Sequence, residues 1–422
     1  MIELMSHQKR AVEQFSERSV ILAHEMGTGK SVTSISMHKE FGAVVVCPTK
    51  TKNNYLQELV SVMGESADDI QIIKKGKDIV QGKKWLIISY DLAKKFKDPI
   101  CEAYKRMIVD ESHCIKGDTQ RSAGVIEISK NMQVVTLLTG TPVTNRPADL
   151  WNQLLAVNAK ITQVLRKTEY QKKFCKGHLE YVPRARRMIW VAKGAANLEE
   201  LRSRILSDVD IVKKSEVLDL PEKIVKTVKI EMTDEQKRRY ATAFADYVQK
   251  CIELGEKTPK EIRSVIRNKD MVQVVKLRQA TSMMKAEYLL EMIEEVGEQQ
   301  AIIFTEYIAT IEFINKGLKE RGLSFSTLKQ EDGDGKFKRK EVQFFTANIN
   351  AGAEGLNLQN SSLIFIIDKN WSVGKNWQAE DRVHRKGQTE KCFIKYFSVE
   401  ETIDEAVDRV NIIKGNAIKR II

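Results

Sequence analysis

The chain has 422 residues, enough for about two or three domains with cores of their own, and its 42% hydrophobic and 30% charged content is that of a folded, water-facing protein. No run approaches about 18 consecutive apolar residues, and the start MIELMSHQKRAVEQF sets an acid and a histidine among its apolar positions, so both a membrane span and a secretion signal are disfavoured and an intracellular protein is expected. The six cysteines are scattered without a C-x-x-C pair, which argues against a zinc site or a disulfide framework, and a formal charge of +12 permits a polyanionic partner without requiring one.

In chain order, VILAHEMGTGKSVTSI (20–35) reads as a short apolar strand, a glycine loop and a helix. In such a loop the backbone N–H groups of Gly27, Thr28 and Gly29 and the helix N-terminus face phosphates, Lys30 sets its charge on the β and γ groups, and Ser31 offers a hydroxyl to magnesium. The full phosphate-loop pattern wants a glycine where His24 stands, and a glycine turn with a solvated lysine would leave the same letters. YKRMIVDESHCIKG (104–117) then ends an apolar strand in Asp110 and Glu111. The C-terminal edge of an open α/β sheet is where ligands bind; there Asp110 can hold magnesium and Glu111 can orient a water. Two acids in a solvated turn are the bland alternative, but the two motifs in this order, about 80 residues apart, argue against accident.

Further on, residues 270–296 read as an amphipathic helix with apolar positions recurring at three and four, and KQEDGDGKFKRKE (329–341) as a polar loop running into a helix. QAEDRVHRKGQ (378–388) sets Arg382 and Arg385 at i and i+3, so that on a helix both guanidinium groups leave one face and reach one triphosphate. The tail from 398 has helical periodicity, and no internal repeat is visible.

Through these motifs the chain resembles the Swi/Snf-type DNA translocases of helicase superfamily two, whose first motif is close to DEMGLGKT and whose second is a DEAH-like box. LMSHQKRAVEQF resembles the N-terminal glutamine motif, which implies Gln8 at the adenine. VVVCPTKTKNNYLQEL and LIISYDL resemble motifs on the nucleic-acid side, implying contacts from Thr49, Lys50 and Ser89. LLTGTPVTNRPADLWNQL is similar to the third motif, implying that Thr139 and Thr141, with His113 of the box, couple the nucleotide to movement. AIIFTEYIATIEFI and GAEGLNLQNSSLIFIIDKNW resemble second-lobe motifs, with Thr305 and the NINAG turn around Gly352 on the nucleic acid, and residues 378–388 carry the family's Q-A-x-x-R-x-x-R-x-G-Q spacing, with Gln378 at the nucleotide.

The resemblance implies an α/β fold of two RecA-like parallel-sheet lobes with helical insertions and an ATP site in the cleft between them. Lobe one is expected at 1–220 and lobe two at 221–422, with a helical insertion near 240–295 and a C-terminal helix. It implies ATP and magnesium as cofactors, catalysis by Lys30, Asp110, Glu111, Arg382 and Arg385, metal ligation by Ser31 and Asp110, and movement along double-stranded DNA without obligatory strand separation. A strand-separating DNA or RNA helicase, disfavoured by the family's helical insertions and the absence of an evident wedge hairpin, and a catalytically weak DNA-binding scaffold are the alternatives. No histone-targeting or zinc module and no membrane partner is expected, and the oligomeric state stays open. A compact motor of this kind points to the cytoplasm of a prokaryotic or virus-infected cell rather than a eukaryotic nucleus.

Overall fold

The runs VILAH, AVVVC, WLIIS and VVTLL are apolar almost throughout and are buried along their whole length, as strands of a parallel sheet covered on both faces must be. The computed structural model describes residues 3–182, 186–253, 271–352, 356 and 358–422. The chain divides into two units, Met1–Leu218 with Lys414–Ile422, and Asp219–Ile413.

Unit 1 holds β1 (Val20–His24), β2 (Ala43–Cys47), β3 (Ile70–Ile72), β4 (Trp85–Ser89), β5 (Arg106–Asp110), β6 (Val134–Leu138), the pair β7 (His178–Val182) and β8 (Arg187–Val191), and β9 (Val209–Val212). Seven of these strands form one sheet in the order β3-β4-β2-β5-β6-β1-β9, with every pairing parallel. Unit 2 holds β10 (Lys223–Ile230), β11 (Ala301–Thr305), β12 (Phe325–Thr327), β13 (Phe344–Asn348), β14 (Leu363–Ile366) and β15 (Cys392–Val399), again a parallel sheet, in the order β10-β15-β14-β11-β13-β12. These are two RecA-like lobes.

β7 and β8 stand apart from both sheets as an antiparallel hairpin. No evident wedge hairpin was expected from the sequence. That ground for setting aside strand separation is therefore withdrawn.

The helix Met271–Met292 corrects a second expectation. Its three- and four-residue spacing is present, but the recurring buried positions include Arg278, Thr281, Ser282 and Lys285 beside Leu277, Leu289 and Ile293. The Lys285 ammonium lies 3.0 Å from Asp368 and 3.0 Å from Asp404. Asp368 also accepts hydrogen bonds from Ser282 (2.7 Å) and Thr305 (2.6 Å), and Asp404 from Thr281 (3.1 Å). Burial opposes the Lys285 charge, yet the attraction of Asp404 and Asp368 outweighs it and raises the pKa. Burial likewise opposes ionisation of Asp368, but Lys285 and the hydroxyl donors hold its carboxyl below the usual range. A polar stripe thus replaces part of the apolar one where the helix meets the strand ends.

Lys285→Ala strands two buried carboxylates, so unfolding of the protein in urea should show a loss of about 3–5 kcal/mol. Because the folded pKa of Asp368 is depressed, its contribution is complete above the unfolded carboxylate value near ~4 and disappears as pH falls through the lower folded value. An acid titration of wild-type stability should show this loss, and the Lys285→Ala protein should lack it.

Candidate nucleotide site

In the sheet of unit 1, β6 lies between β1 and β5, and the register sets Leu22 beside Leu138 and Leu138 beside Asp110. Three segments therefore emerge at one edge: the glycine loop after β1, Thr139–Thr141 after β6, and Asp110–Glu111 at the end of β5. Ligands of open α/β sheets bind at such an edge.

Gly27 (φ 84°) and Gly29 (φ 80°) take left-handed backbone conformations as the loop turns into the helix Lys30–His38. At Gly29 space is also limiting, since a Cβ would sit 2.4 Å from Gln8 Nε2. The Lys30 ammonium donates to the carbonyls of His24 (2.9 Å) and Glu25 (3.2 Å). The Gln8 side chain is committed to the loop itself, with Nε2 donating to Thr28 O (3.4 Å) and Gly29 O (3.3 Å) and Oε1 accepting from Met5 N at 2.8 Å.

Beneath the loop lies a group that the sequence did not announce. His24 Nε2 is 2.7 Å from Asp210 Oδ2 on β9, Arg10 donates to Asp210 Oδ1 at 2.7 Å, and a His7 ring nitrogen is 3.0 Å from Thr28 O. Burial lowers the pKa of His24 against the pull of Asp210, so its ring is neutral at pH 7. His24 stands where the family usually has an aspartate, and here the carboxylate arrives from a distant strand. The available signal was the acid inside the otherwise apolar strand VDIV.

Asp110 is partly buried at the end of β5, and burial together with the Glu111 charge pushes its carboxyl up to about 8, against the pull of Lys30. Burial also raises Glu58, against a stabilising hydroxyl from Ser31, and its Oε2 has no hydrogen-bond partner. Glu111 adopts a left-handed conformation (φ 51°, ψ 50°), which a non-glycine residue holds only when its surroundings impose it. Carboxyls repelling one another around Lys30 are a donor set that a divalent cation would relieve, so the residues fit magnesium, with Ser31 and Asp110 as protein ligands. Among the described residues no three His, Cys, Asp or Glu side chains form a metal cage, so nucleotide phosphates would complete the coordination.

The third motif is bonded directly to the acidic box. Ser112 donates to Gln153 Oε1 at 2.8 Å, and Gln153 Nε2 donates to Pro142 O (2.7 Å) and Asp149 O (3.0 Å). Thr139 and Thr141 are buried, with Thr141 N donating to Thr139 Oγ1 at 3.0 Å. His113 Nδ1 lies 3.3 Å from the Glu111 carboxylate. Ser112, where the family usually has alanine or glycine, thus joins two motifs.

Thr49 and Lys50 are exposed in the turn after β2, while Ser89 is buried at the end of β4. In unit 2, Thr305 is buried and its hydroxyl is spent on Asp368; Gly352 ends a short helix, Ile349–Gly352, where a turn was expected. Residues 353–355 and 357 of GAEGLNL lie outside the described residues. The expectation that a helix carries both arginines is also corrected: helix Val373–Glu380 ends before them. Arg382 Nε takes the Gln378 carbonyl (3.1 Å), which the backbone of residue 382 would need to continue the helix, and its NH1 donates to Leu356 O at 2.9 Å. Glu380 is held by Tyr396 (2.7 Å) and Lys223 (2.8 Å), and Gln378 is buried. Arg385 makes no hydrogen bond or ion pair from its guanidinium among the described residues, and burial lowers its pKa against Asp381 alone.

A glycine loop, a paired-acid box and a coupled third motif on one RecA-like sheet define a helicase-like ATPase. Residues 3–297 match the SNF2-related domain and residues 284–387 the helicase conserved C-terminal domain, so the chain belongs to the SNF2-related family. It is 27% identical over 413 residues to the SWI/SNF-related matrix-associated actin-dependent regulator of chromatin subfamily A-like protein 1 of Xenopus tropicalis, covering 92% of this chain and 41% of that protein. It is 25% identical over 413 residues to the DNA annealing helicase and endonuclease ZRANB3 of Bos taurus, covering 91% of this chain and 37% of that protein. The SWI2/SNF2 ATPase core of Sulfolobus solfataricus in complex with dsDNA superposes with a TM-score of 0.46 and 22% identity, over 100% of this chain and 93% of that one. The chain thus spans about two fifths of the length of these curated relatives.

The expected prokaryotic or viral cytoplasm does not stand. The curated sequence relatives it matches, from Xenopus tropicalis, Bos taurus and Caenorhabditis elegans, are eukaryotic proteins named for chromatin regulation and DNA annealing. The expectation rested on missing targeting modules, and a stretch matching only part of longer proteins carries no information about their other modules.

Gly29→Ala adds a methyl group at a left-handed position against Gln8 and should weaken ATP binding by about tenfold or more, read by titration with a fluorescent ATP analogue. Thermal unfolding should change little by comparison.

Proposed function

We propose that this chain is an ATP-dependent motor on double-stranded DNA, hydrolysing ATP at the edge of the unit 1 sheet and using the released free energy to move along the duplex. The observation that carries this is the gathering of Lys30, Ser31, Asp110 and Glu111 at that edge with the buried Ser112–Gln153 link into the third motif.

Magnesium, held by Ser31 and Asp110 with the phosphates, would offset charge on the transferring phosphoryl group. Lys30 exchanges its carbonyl partners for phosphate oxygens, and Glu111 orients the attacking water from a backbone that is already fixed. That Gln8 and Gln378 serve the nucleotide, and that Arg382 and Arg385 act on the same triphosphate, rests on the sequence motifs. A guanidinium with no hydrogen bond or ion pair among the described residues, as at Arg385, suits a group reserved for developing charge. Thr139, Thr141 and His113 couple the site to movement. Thr49, Lys50, Ser89, Thr305 and Gly352 are proposed to meet the DNA backbone, which carries no sequence information. For Ser89 and Thr305 that contact would need local rearrangement, since both are buried.

A second reading, strand separation, is favoured by one observation, the hairpin β7–β8. A catalytically weak scaffold is disfavoured, because Lys30, Asp110, Glu111, Arg382 and Arg385 are all present.

ATP turnover should be low alone and rise with duplex DNA, with stimulation weakening steeply as salt rises. Lys30→Ala should abolish hydrolysis and weaken ATP binding, whereas Glu111→Gln should retain binding and lose turnover. Arg385→Ala should lower turnover by about 10² to 10⁵ with a far smaller effect on ATP affinity. Turnover independent of nucleic acid would reject the motor. Displacement of the third strand of a triplex without opening of a forked duplex supports translocation; the reverse supports a strand-separating helicase.

A further inference from the structure

Residues 172–193 contain seven lysines and arginines and one glutamate, a net +6 in a chain whose total is +12. Half of the formal excess charge therefore sits in this short segment, and the hairpin occupies most of it. Lys173 is paired with Glu200, but Lys176, Arg186 and Arg187 make no ion pair among the described residues.

The hairpin is also apolar where it should not be. The register pairs Leu179 with Trp190 and Tyr181 with Met188, and directly opposed residues on alternate positions share a face. Leu179, Tyr181 and Met188 are more than half exposed, at 58%, 56% and 52%. An isolated two-stranded hairpin is marginal in water, yet this one is firmly mounted. Trp190 Nε1 donates to Gln171 at 2.6 Å, Gly177 N donates to Gln171 O at 2.8 Å, and a Cβ at Gly177 would sit 2.6 Å from the Trp190 ring. Below it, the helix Lys167–Cys175 stacks Tyr170 between Trp151 and Phe174, and Tyr170 donates to Pro147 O at 2.8 Å. A mounted ribbon with exposed apolar side chains on one face and cations without an ion pair at the neighbouring positions suits a partner offering both negative charge and flat apolar surface.

Nucleic acid offers both, but only where bases are exposed. In an intact duplex the base faces are hidden in the stack, and Tyr181 and Met188 gain nothing from phosphates. At a fork the unpaired arms present base faces beside the backbone, which a paired duplex does not. We infer that the β7–β8 hairpin is a junction-binding element, with Tyr181 and Met188 against the exposed bases and Arg186 and Arg187 on the flanking phosphates. The inference rests on the reading that the chain binds DNA, and adds that the preferred DNA has a junction.

The test is fluorescence anisotropy on labelled forked and blunt duplexes of equal duplex length, without nucleotide. Wild type should bind the fork more tightly. The Tyr181→Ser/Met188→Ser protein should lose about tenfold or more on the fork and less than about twofold on the blunt duplex. Arg186→Glu/Arg187→Glu should weaken both and flatten the salt dependence. The side chains replaced are exposed, and unchanged thermal unfolding and DNA-independent ATP turnover confirm that the fold is kept. Wild-type fork binding by the serine pair overturns the inference and leaves the apolar face to a protein partner; equal losses on fork and blunt duplex overturn it in favour of a general duplex contact. Because no ATP is present, failure of the motor reading, seen as DNA-independent turnover in wild type, remains distinguishable from failure of the hairpin assignment.

Discussion

The repulsion among carboxyls around Lys30 is the constraint on which the edge of unit 1 depends. Asp110 and Glu58 are both partly buried and Glu111 follows Asp110 immediately, so keeping the three together favours protons or cations among them. Unit 2 treats buried charge in the opposite way. There Lys285 meets two aspartates, and Ser282, Thr281 and Thr305 satisfy their remaining lone pairs. One arrangement is complete without a ligand and serves architecture. The other is electrostatically incomplete, which is what a site for magnesium and a polyphosphate requires.

The same contrast explains why some motif residues hold their neighbours and others do not. Arg382 is tied to two carbonyls just past the end of helix Val373–Glu380, whereas the half-buried Arg385 guanidinium makes no hydrogen bond or ion pair among the described residues. Gln8 and His7 both bind the carbonyl of Thr28, and with the His24–Asp210 pair they stiffen the loop from behind. A phosphate loop must present its N–H groups already arranged, and here the carbonyls of Thr28 and Gly29 are held by side chains of the helix Ser6–Phe15.

The central strands were legible because strands covered on both faces have no room for polar residues, and the loop and box because phosphate and metal chemistry fixes both residue type and order. What escaped was non-local. Asp210 looks like one acid in a short strand until it meets His24, 186 residues away in sequence. Arg278, Thr281, Ser282 and Lys285 look like the solvated side of a helix because the carboxylates that neutralise Lys285 come from beyond residue 360. The helix before Arg382 continues by local propensity and is stopped by a side chain bonding its own backbone. The hairpin was missed for a related reason, since its two short strands stand apart from both sheets and leave much of their surface exposed.

The mounting of that hairpin has a mechanical consequence. Pro147 belongs to the segment after β6 that also carries Thr139, Thr141 and Gln153, and it is bonded to Tyr170, whose helix holds Trp190 through Gln171. Each five-residue strand extends about 17 Å from that base at about 3.3 Å per residue. The ribbon is thus a lever pivoted on an aromatic stack, and a tilt of a few degrees at its base sweeps its far end through about an ångström.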